Sequence, residues 1–380
     1  MKKKNIYYWS PHLTEIATSK AVINSAYSIN RYSNNYYATI IDAGGEFKKK
    51  IDEIELKKIN LIRLYKFSYI LLLPKFGKFL SRLSFCIIFI LSFFRLRDLL
   101  VKKNPDFLII HLITSLPIIL FNIFNFNTKC ILRISGYPDF GKVRLFLWRI
   151  LLKKIYIVTC PTFATYEHLK SLNIVPIEKL KILYDPIITV EEINNLKKEK
   201  IKINHNNFII AIGRLTKQKN FIFLISCFKE INKNYPDLRL LIFGSGEQKS
   251  YIEKKILEYC LKDKIILLPF TRNIYPYLKI ANCFVLTSLW EDPGFVLLEA
   301  AFCRTFIISS NCPNGPKEII EKNNAGLIYE TSGKNDFLDK FKIFMSMSNV
   351  EKIQRKKNAL KTSSKFTLFR HYLELNKILL

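Results

Sequence analysis

Two carboxylates in the C-terminal half, Glu291 and Glu299, are separated by seven residues in Ser288-Leu289-Trp290-Glu291-Asp292-Pro293-Gly294-Phe295-Val296-Leu297-Leu298-Glu299-Ala300. Glu291 falls at the carboxyl end of a predicted strand, Cys283 to Thr287, where ligands of open parallel sheets bind. Gly294 allows close approach of backbone to such a ligand, and amides opening the next helix would face an anionic phosphate. A second constellation, Gly213-Arg214-Leu215-Thr216-Lys217-Gln218-Lys219-Asn220, sets two fixed cations on a glycine turn after another predicted strand. Arg214 can donate a forked pair of hydrogen bonds to phosphate oxygens and Lys219 adds a point charge, an arrangement suited to a diphosphate leaving group. A third loop, Gly244-Ser245-Gly246-Glu247, would form one wall of a nucleotide crevice.

The N-terminal half supplies weaker candidates. His111 follows the predicted strand Phe107 to Ile110, and His12 follows Ile6 to Trp9. The segment Arg133-Ile134-Ser135-Gly136-Tyr137 ends another strand and offers Arg133 and Ser135 as accessory groups. Each feature has a plain structural alternative. Either histidine can be a satisfied core residue, and Glu291 and Glu299 a solvated carboxylate and a helix-start charge. Cations near a helix N-terminus, however, oppose the dipole unless an anion is present, which favours a ligand beside Arg214 and Lys219.

The elements that must position these groups alternate strand and helix. From 208 onward the expected strands are Phe208 to Ile212, Leu238 to Phe243, Ile265 to Leu268, Cys283 to Thr287 and Thr305 to Ser309. Helices are expected over Phe221 to Asn232, Tyr251 to Leu261 and Leu297 to Phe302. Such order forces a parallel sheet covered by helices on both faces, an α/β fold. The first half repeats it at Ile6 to Trp9, Tyr37 to Ile41, Phe107 to Ile110, Cys130 to Ile134, Tyr156 to Cys160 and Lys181 to Tyr184. A polar, charge-mixed stretch from Pro186 to Asn207 reads as a linker. The expected division is a domain over 1–187, a second over 188–365, and a C-terminal segment, 366–380, crossing back to the first.

A chain of 380 residues, 49% of them apolar, can bury two cores. Its eight cysteines are scattered and lie in apolar runs, as reduced core thiols do. No apolar stretch of signal-peptide length follows Met1 to Lys4, so a cytoplasmic location is expected. The formal charge of +29 calls for an anionic partner. Basic residues cluster in the first half, at Lys2 to Lys4 and Lys48 to Lys50 among others. Phe146, Leu147 and Trp148 are framed by Arg144, Arg149 and Lys153, a mixture suited to an anionic membrane surface. Uncharged Leu83 to Phe94 reads as too short to cross a bilayer, and Phe107 to Asn127 as a strand, a turn and a buried helix.

The three constellations, in this order and spacing, resemble the retaining glycosyltransferases of family 4, specifically over roughly residues 208 to 330. Glu291-Asp292-Pro293-Gly294-Phe295 stands where Glu-Gly-Phe is more usual, and Ser10 to Thr18 replaces the common glycine-rich loop. The resemblance implies the GT-B fold, α/β with two Rossmann-like domains whose parallel sheets face across a cleft. It implies that Arg214 and Lys219 hold the donor diphosphate with Gly213, Gly244, Gly246, Gly294 and Phe295 around it. Glu291 would contact the transferred sugar, Glu299 the nucleotide ribose, and His111 would act with Glu291 as a catalytic group. Ser309 to Ile319 is also similar to members that build bacterial surface polysaccharides, commonly from UDP-sugars.

The expected function is transfer, with retention, from a nucleotide sugar to a glycan or lipid-linked acceptor on the inner face of the membrane. No metal or other cofactor is expected, since the sequence contains no Asp-x-Asp pair. Rival readings are a nucleotide-sugar isomerase or hydrolase of the same fold, and a basic nucleic-acid-binding protein. No nucleic-acid motif supports the second, so no nucleic-acid partner is expected.

Overall fold

Short runs of β-branched and leucine side chains, buried on both faces, form the strands, as they must where helices cover a parallel sheet. The computed structural model describes residues 3–14, 17–74, 77–135, 138, 141–200 and 207–380. Met1, Lys2, Glu15, Ile16, Gly136, Tyr137 and residues 201–206 of the expected linker therefore lie outside the described residues, as do 75–76 and 139–140. The chain divides into two units, Met1–Pro186 with Leu368–Leu380, and Ile187–Thr367.

Unit 1 holds β1 (Lys4–Trp9), β2 (Tyr36–Asp42), β3 (Asn60–Arg63), β4 (Phe107–Ile110), β5 (Lys129–Arg133), β6 (Ile157–Cys160) and β7 (Leu180–Ile182). They pair in the order β3-β2-β1-β4-β5-β6-β7, all in parallel. Unit 2 holds β8 (Phe208–Ile212), β9 (Arg239–Phe243), β10 (Ile265–Leu268), β11 (Cys283–Leu286), β12 (Phe306–Ser310) and β13 (Leu327–Tyr329). Its order is β10-β9-β8-β11-β12-β13, again parallel. Both are doubly wound, Rossmann-like sheets. Strand order reverses between β1 and β4 in one and between β8 and β11 in the other, and crevices for ligands open at such switch points.

Several expectations need correction. The stretch after Pro186 is not a free linker: Ile188 bridges Thr367, and the helix Val190–Leu196 buries Ile193 within unit 2. Its Glu191 and Glu192 lie in the first helical turn, where acidic charge suits the dipole. Leu83 to Phe94 is only the middle of a 26-residue helix, Lys78–Lys103, which is long and apolar enough to cross a membrane by length and composition. Arg82 and Arg95 bound the uncharged run without ending the helix, because a charged side chain leaves the helical backbone hydrogen bonds intact. Six cysteines are buried, but Cys86 and Cys260 are exposed. Phe107 to Asn127 is, as expected, β4 and the helix Ser115–Ile123.

The C-terminal helix Leu368–Leu379 packs in unit 1, with Leu375 and Leu379 in one core with Ile6, Tyr8 and Ile40. His371 fastens it from inside. The Tyr184 carbonyl can only accept, so Nδ1 donates to it at 2.7 Å, and Nε2 takes the Ser25 hydroxyl at 2.7 Å. Tyr8 meets the same hydroxyl at 2.8 Å. Burial lowers the His371 pKa to about 4, despite the Tyr184 carbonyl. The unfolded chain therefore takes up a proton near pH 6.5 that the folded chain refuses until about pH 4. Stability contributed by this residue is full above that window and is lost as pH falls through it, by about 3 kcal/mol in all. Urea unfolding of His371→Gln should accordingly show a shallower acid-side slope between pH 6.5 and 4 than the parent chain. Equal slopes would contradict the assignment.

Candidate functional site

In unit 2 the register of β8 against β9 and β11 carries three loops off adjacent strand ends. Leu215 N–H donates to the Ser245 carbonyl at 2.8 Å and Gln248 N–H to the Leu215 carbonyl at 2.9 Å, which zips the first loop to the second. A Cβ on Gly244 would lie 1.9 Å from the Gly213 carbonyl oxygen, so only glycine permits this contact. The third loop is tied to the first by Leu289 N–H on the Gln218 carbonyl, by Gln218 Nε2 on the Trp290 carbonyl, and by Thr287 Oγ1 on the Lys219 carbonyl, each at 2.8 Å.

These ties bring together residues 72 apart in sequence: Lys219 Nζ forms an ion pair with Glu291 Oε1. Both side chains are mostly buried, at 13% and 6% exposure, so each charge depends on the other. Ser288 Oγ donates to the same Oε1 at 2.5 Å. Among the described residues both contacts fall on Oε1, which leaves Oε2 for a ligand hydroxyl. Lys219 likewise spends one of its three N–H groups here. Arg214 is exposed and donates once, to Gln218 Oε1 at 3.2 Å, so most of its fork is unspent.

Gly294, at φ +91°, caps the helix Phe295–Phe302, and its own position offers no side chain to hydrogen-bond the first-turn amides. A small anion can reach those N–H groups. The turn before it is braced by the next loop: Glu291 N–H donates to the Pro313 carbonyl at 3.1 Å, and Asn314 Nδ2 to Asp292 Oδ1 at 2.7 Å. Glu299 is buried one turn into the helix and accepts the Tyr275 hydroxyl at 3.0 Å. Burial, together with that carboxylate, raises the Tyr275 pKa and keeps the phenol a donor.

Sequence reasoning did not find Ser288, Tyr275, Asn314 or the relay role of Gln218. Gln218 stood inside the quoted cationic loop. Tyr275 follows a polar loop far from any recognised pattern, and nothing local signals its partner.

Unit 1 carries the remaining candidates. His111 follows β4, its N–H on the Trp9 carbonyl at 2.9 Å. Its ring is buried 6.1 Å from that of Tyr8, and neither ring nitrogen has a partner among the described residues. Burial first, then Arg133 and His371, hold its pKa well below the ordinary value. A neutral imidazole with two unmet groups costs about 1–3 kcal/mol, which a polar ligand would offset. Arg133 is not open to a ligand as the sequence suggested: it is buried, forks onto Asp185, and donates to the Ile134 carbonyl at 2.8 Å and to Ser135 Oγ at 2.9 Å. Ser135 Oγ donates in turn to the His111 carbonyl at 2.9 Å. These two residues brace His111. His12 is buried, with Nδ1 3.0 Å from the Ser10 carbonyl and its ring edge-on to Phe47.

Residues 192–362 match the family model described as glycosyl transferases group 1. An uncharacterized glycosyltransferase of Methanocaldococcus jannaschii is 30% identical over 251 residues, 60% of this chain and 61% of that protein. The N-acetylgalactosamine-N,N'-diacetylbacillosaminyl-diphospho-undecaprenol 4-alpha-N-acetylgalactosaminyltransferase of Campylobacter jejuni is 29% identical over 224 residues, 59% of each. The chain thus spans about three fifths of the length of these curated relatives. Among solved structures, Anabaena HepE in complex with UDP and glucose superposes with a TM-score of 0.72 over 99% of both chains, at 15% identity. That likeness shows the fold, which is GT-B: two parallel-sheet, Rossmann-like halves.

Proposed function

We propose that this chain is a retaining glycosyltransferase, which moves a sugar from a nucleotide diphosphate, UDP in our reading, to a glycan or lipid-linked acceptor in surface-polysaccharide synthesis. The observation that carries it is the buried Lys219–Glu291 pair, with Arg214 on the same loop as Lys219, at the strand ends of a unit that matches glycosyl transferases group 1. The relatives' names support the class of reaction, and HepE with UDP supports the donor.

In the proposed reaction the bond from the sugar's anomeric carbon to the diphosphate breaks, and a bond to the acceptor oxygen forms on the same face. The acceptor's proton passes to the departing diphosphate. Arg214, the unspent N–H groups of Lys219 and the amides after Gly294 oppose the charge that develops on the leaving group. Glu291 Oε2 accepts a sugar hydroxyl and Glu299 the ribose, and in unit 1 neutral His111 hydrogen-bonds the acceptor. With these fixed positive groups the reaction needs no divalent ion. Product formation from a UDP-sugar panel should be unchanged by EDTA, and strict dependence on a divalent metal would overturn this part of the account. Turnover without any acceptor would instead favour a hydrolase or isomerase.

The anionic partner in this reading is the inner face of a membrane, not nucleic acid. Charge alone fits either, but Phe79, Ile90 and Phe94 of the helix Lys78–Lys103 are each more than 60% exposed, and of the two a bilayer offers them apolar surroundings. Ser84, Ile88, Ser92, Leu96 and Leu100, spaced four apart, hold one stripe of that helix in unit 1, and Arg95 donates to the Leu64 carbonyl. We therefore read it as lying along the membrane surface.

A further inference from the structure

Unit 1 carries a partly open, mostly apolar pocket of about 890 Å³ that the sugar chemistry does not use. Small-molecule sites run to about 300–1,000 Å³, so this one is large. Three helices wall it: Phe85 and Phe89 come from Lys78–Lys103, Ile119 from Ser115–Ile123, and Trp148 and Leu151 from Lys142–Leu151. Apolar walls of this kind disfavour water, which needs two or more polar partners, and favour hydrocarbon.

The cavity is continuous in chemistry with the outer surface. The helix Lys142–Leu151 buries none of its residues and exposes Val143, Phe146 and Ile150 beside Arg149. The same helix sends Arg144 to the cavity wall, and the loop after β1 sends His12 and Thr14. An apolar shaft with a guanidinium and hydrogen-bonding groups at its wall matches a hydrocarbon chain that ends in phosphate.

We propose that this cavity seats the membrane-lipid chain of a phosphate-bearing acceptor, an inference that rests on the lipid-linked acceptor of the transferase reading. The lipid chain enters between the helices Lys78–Lys103 and Lys142–Leu151, which expose Ile90 and Phe94 and Val143 and Phe146 respectively. Its phosphate is held by Arg144.

Cys86 lies in the cavity wall and is exposed. Cys260, in unit 2, is the other exposed thiol, and the remaining six are buried. Alkylation of the full chain, followed by peptide mass spectrometry, therefore reports the cavity with an internal control. Geranylgeranyl monophosphate at about ten times its Kd should slow Cys86 about tenfold and leave Cys260 unchanged. Geranylgeraniol should protect more weakly and inorganic phosphate not at all. Ile119→Trp, which fills the shaft, should abolish the protection by the lipid phosphate.

Unchanged Cys86 rates with the lipid phosphate, or equal slowing of Cys86 and Cys260, would overturn the proposal. A parallel thermal shift with UDP separates the two readings. Stabilisation by UDP without protection of Cys86 sinks only the lipid site; protection without a UDP effect supports the lipid site and sinks the transferase reading.

Discussion

Lys219→Met should destabilise unit 2 by about 3–5 kcal/mol, because it leaves the Glu291 carboxylate buried without its cation. Both members are mostly covered, so water cannot replace the lost partner. Removing both charges, in Lys219→Met with Glu291→Leu, should restore most of that stability, as apolar replacement of buried pairs generally does. Sugar transfer should not return with it. Hydrogen exchange of the β8 and β11 amides reads the stability, and product formation reads the chemistry. A double variant as unstable as the single one would show that the pair is not what holds these loops together. An active double variant would show that neither group serves the reaction.

Arg214→Ala tests the chemistry without the fold. The side chain is exposed and gives one hydrogen bond to Gln218, so its removal should barely change stability. Transfer should nevertheless fall about a hundred- to a thousandfold, the usual cost of deleting one positive group aimed at developing charge. The loss should appear in kcat/KM for every acceptor alike, since in the proposed reaction the group acts on the leaving diphosphate.

Four strands of unit 2, β8, β9, β11 and β12, are legible in the sequence because each is a buried apolar run that stops at a glycine or a small polar residue, whereas β13, three residues long and only partly buried, is not. The strand ends also carried their own signal, as Gly213-Arg214 and Gly244-Ser245-Gly246 do. Unit 1 hid more. β3, Asn60–Arg63, is a sheet edge with both terminal residues exposed, so it shows no apolar run. Helix Lys78–Lys103 was cut short in the reading at Arg82 and Arg95, which interrupt composition without interrupting the backbone.

Contacts between distant strand ends were hidden for a different reason. Lys219 meets Glu291 because β8 neighbours β11, and no local pattern in either segment encodes that adjacency. Arg133 looked available to a ligand only because Asp185, 52 residues on, could not be placed beside it. His111 was found as a strand-end residue, but its lack of any ring partner required the packed structure.

The central claim is that fixed cations in the loop after β8, with the helix amides that follow β11, bind a diphosphate. Calorimetric titration of UDP and of uridine into the parent chain and Arg214→Ala tests it most directly. The account predicts that the variant's Kd for UDP rises about ten- to a hundredfold, the equivalent of about 1.5–3 kcal/mol, while that for uridine stays the same. An unchanged affinity for UDP, or an equal loss for both ligands, would contradict it.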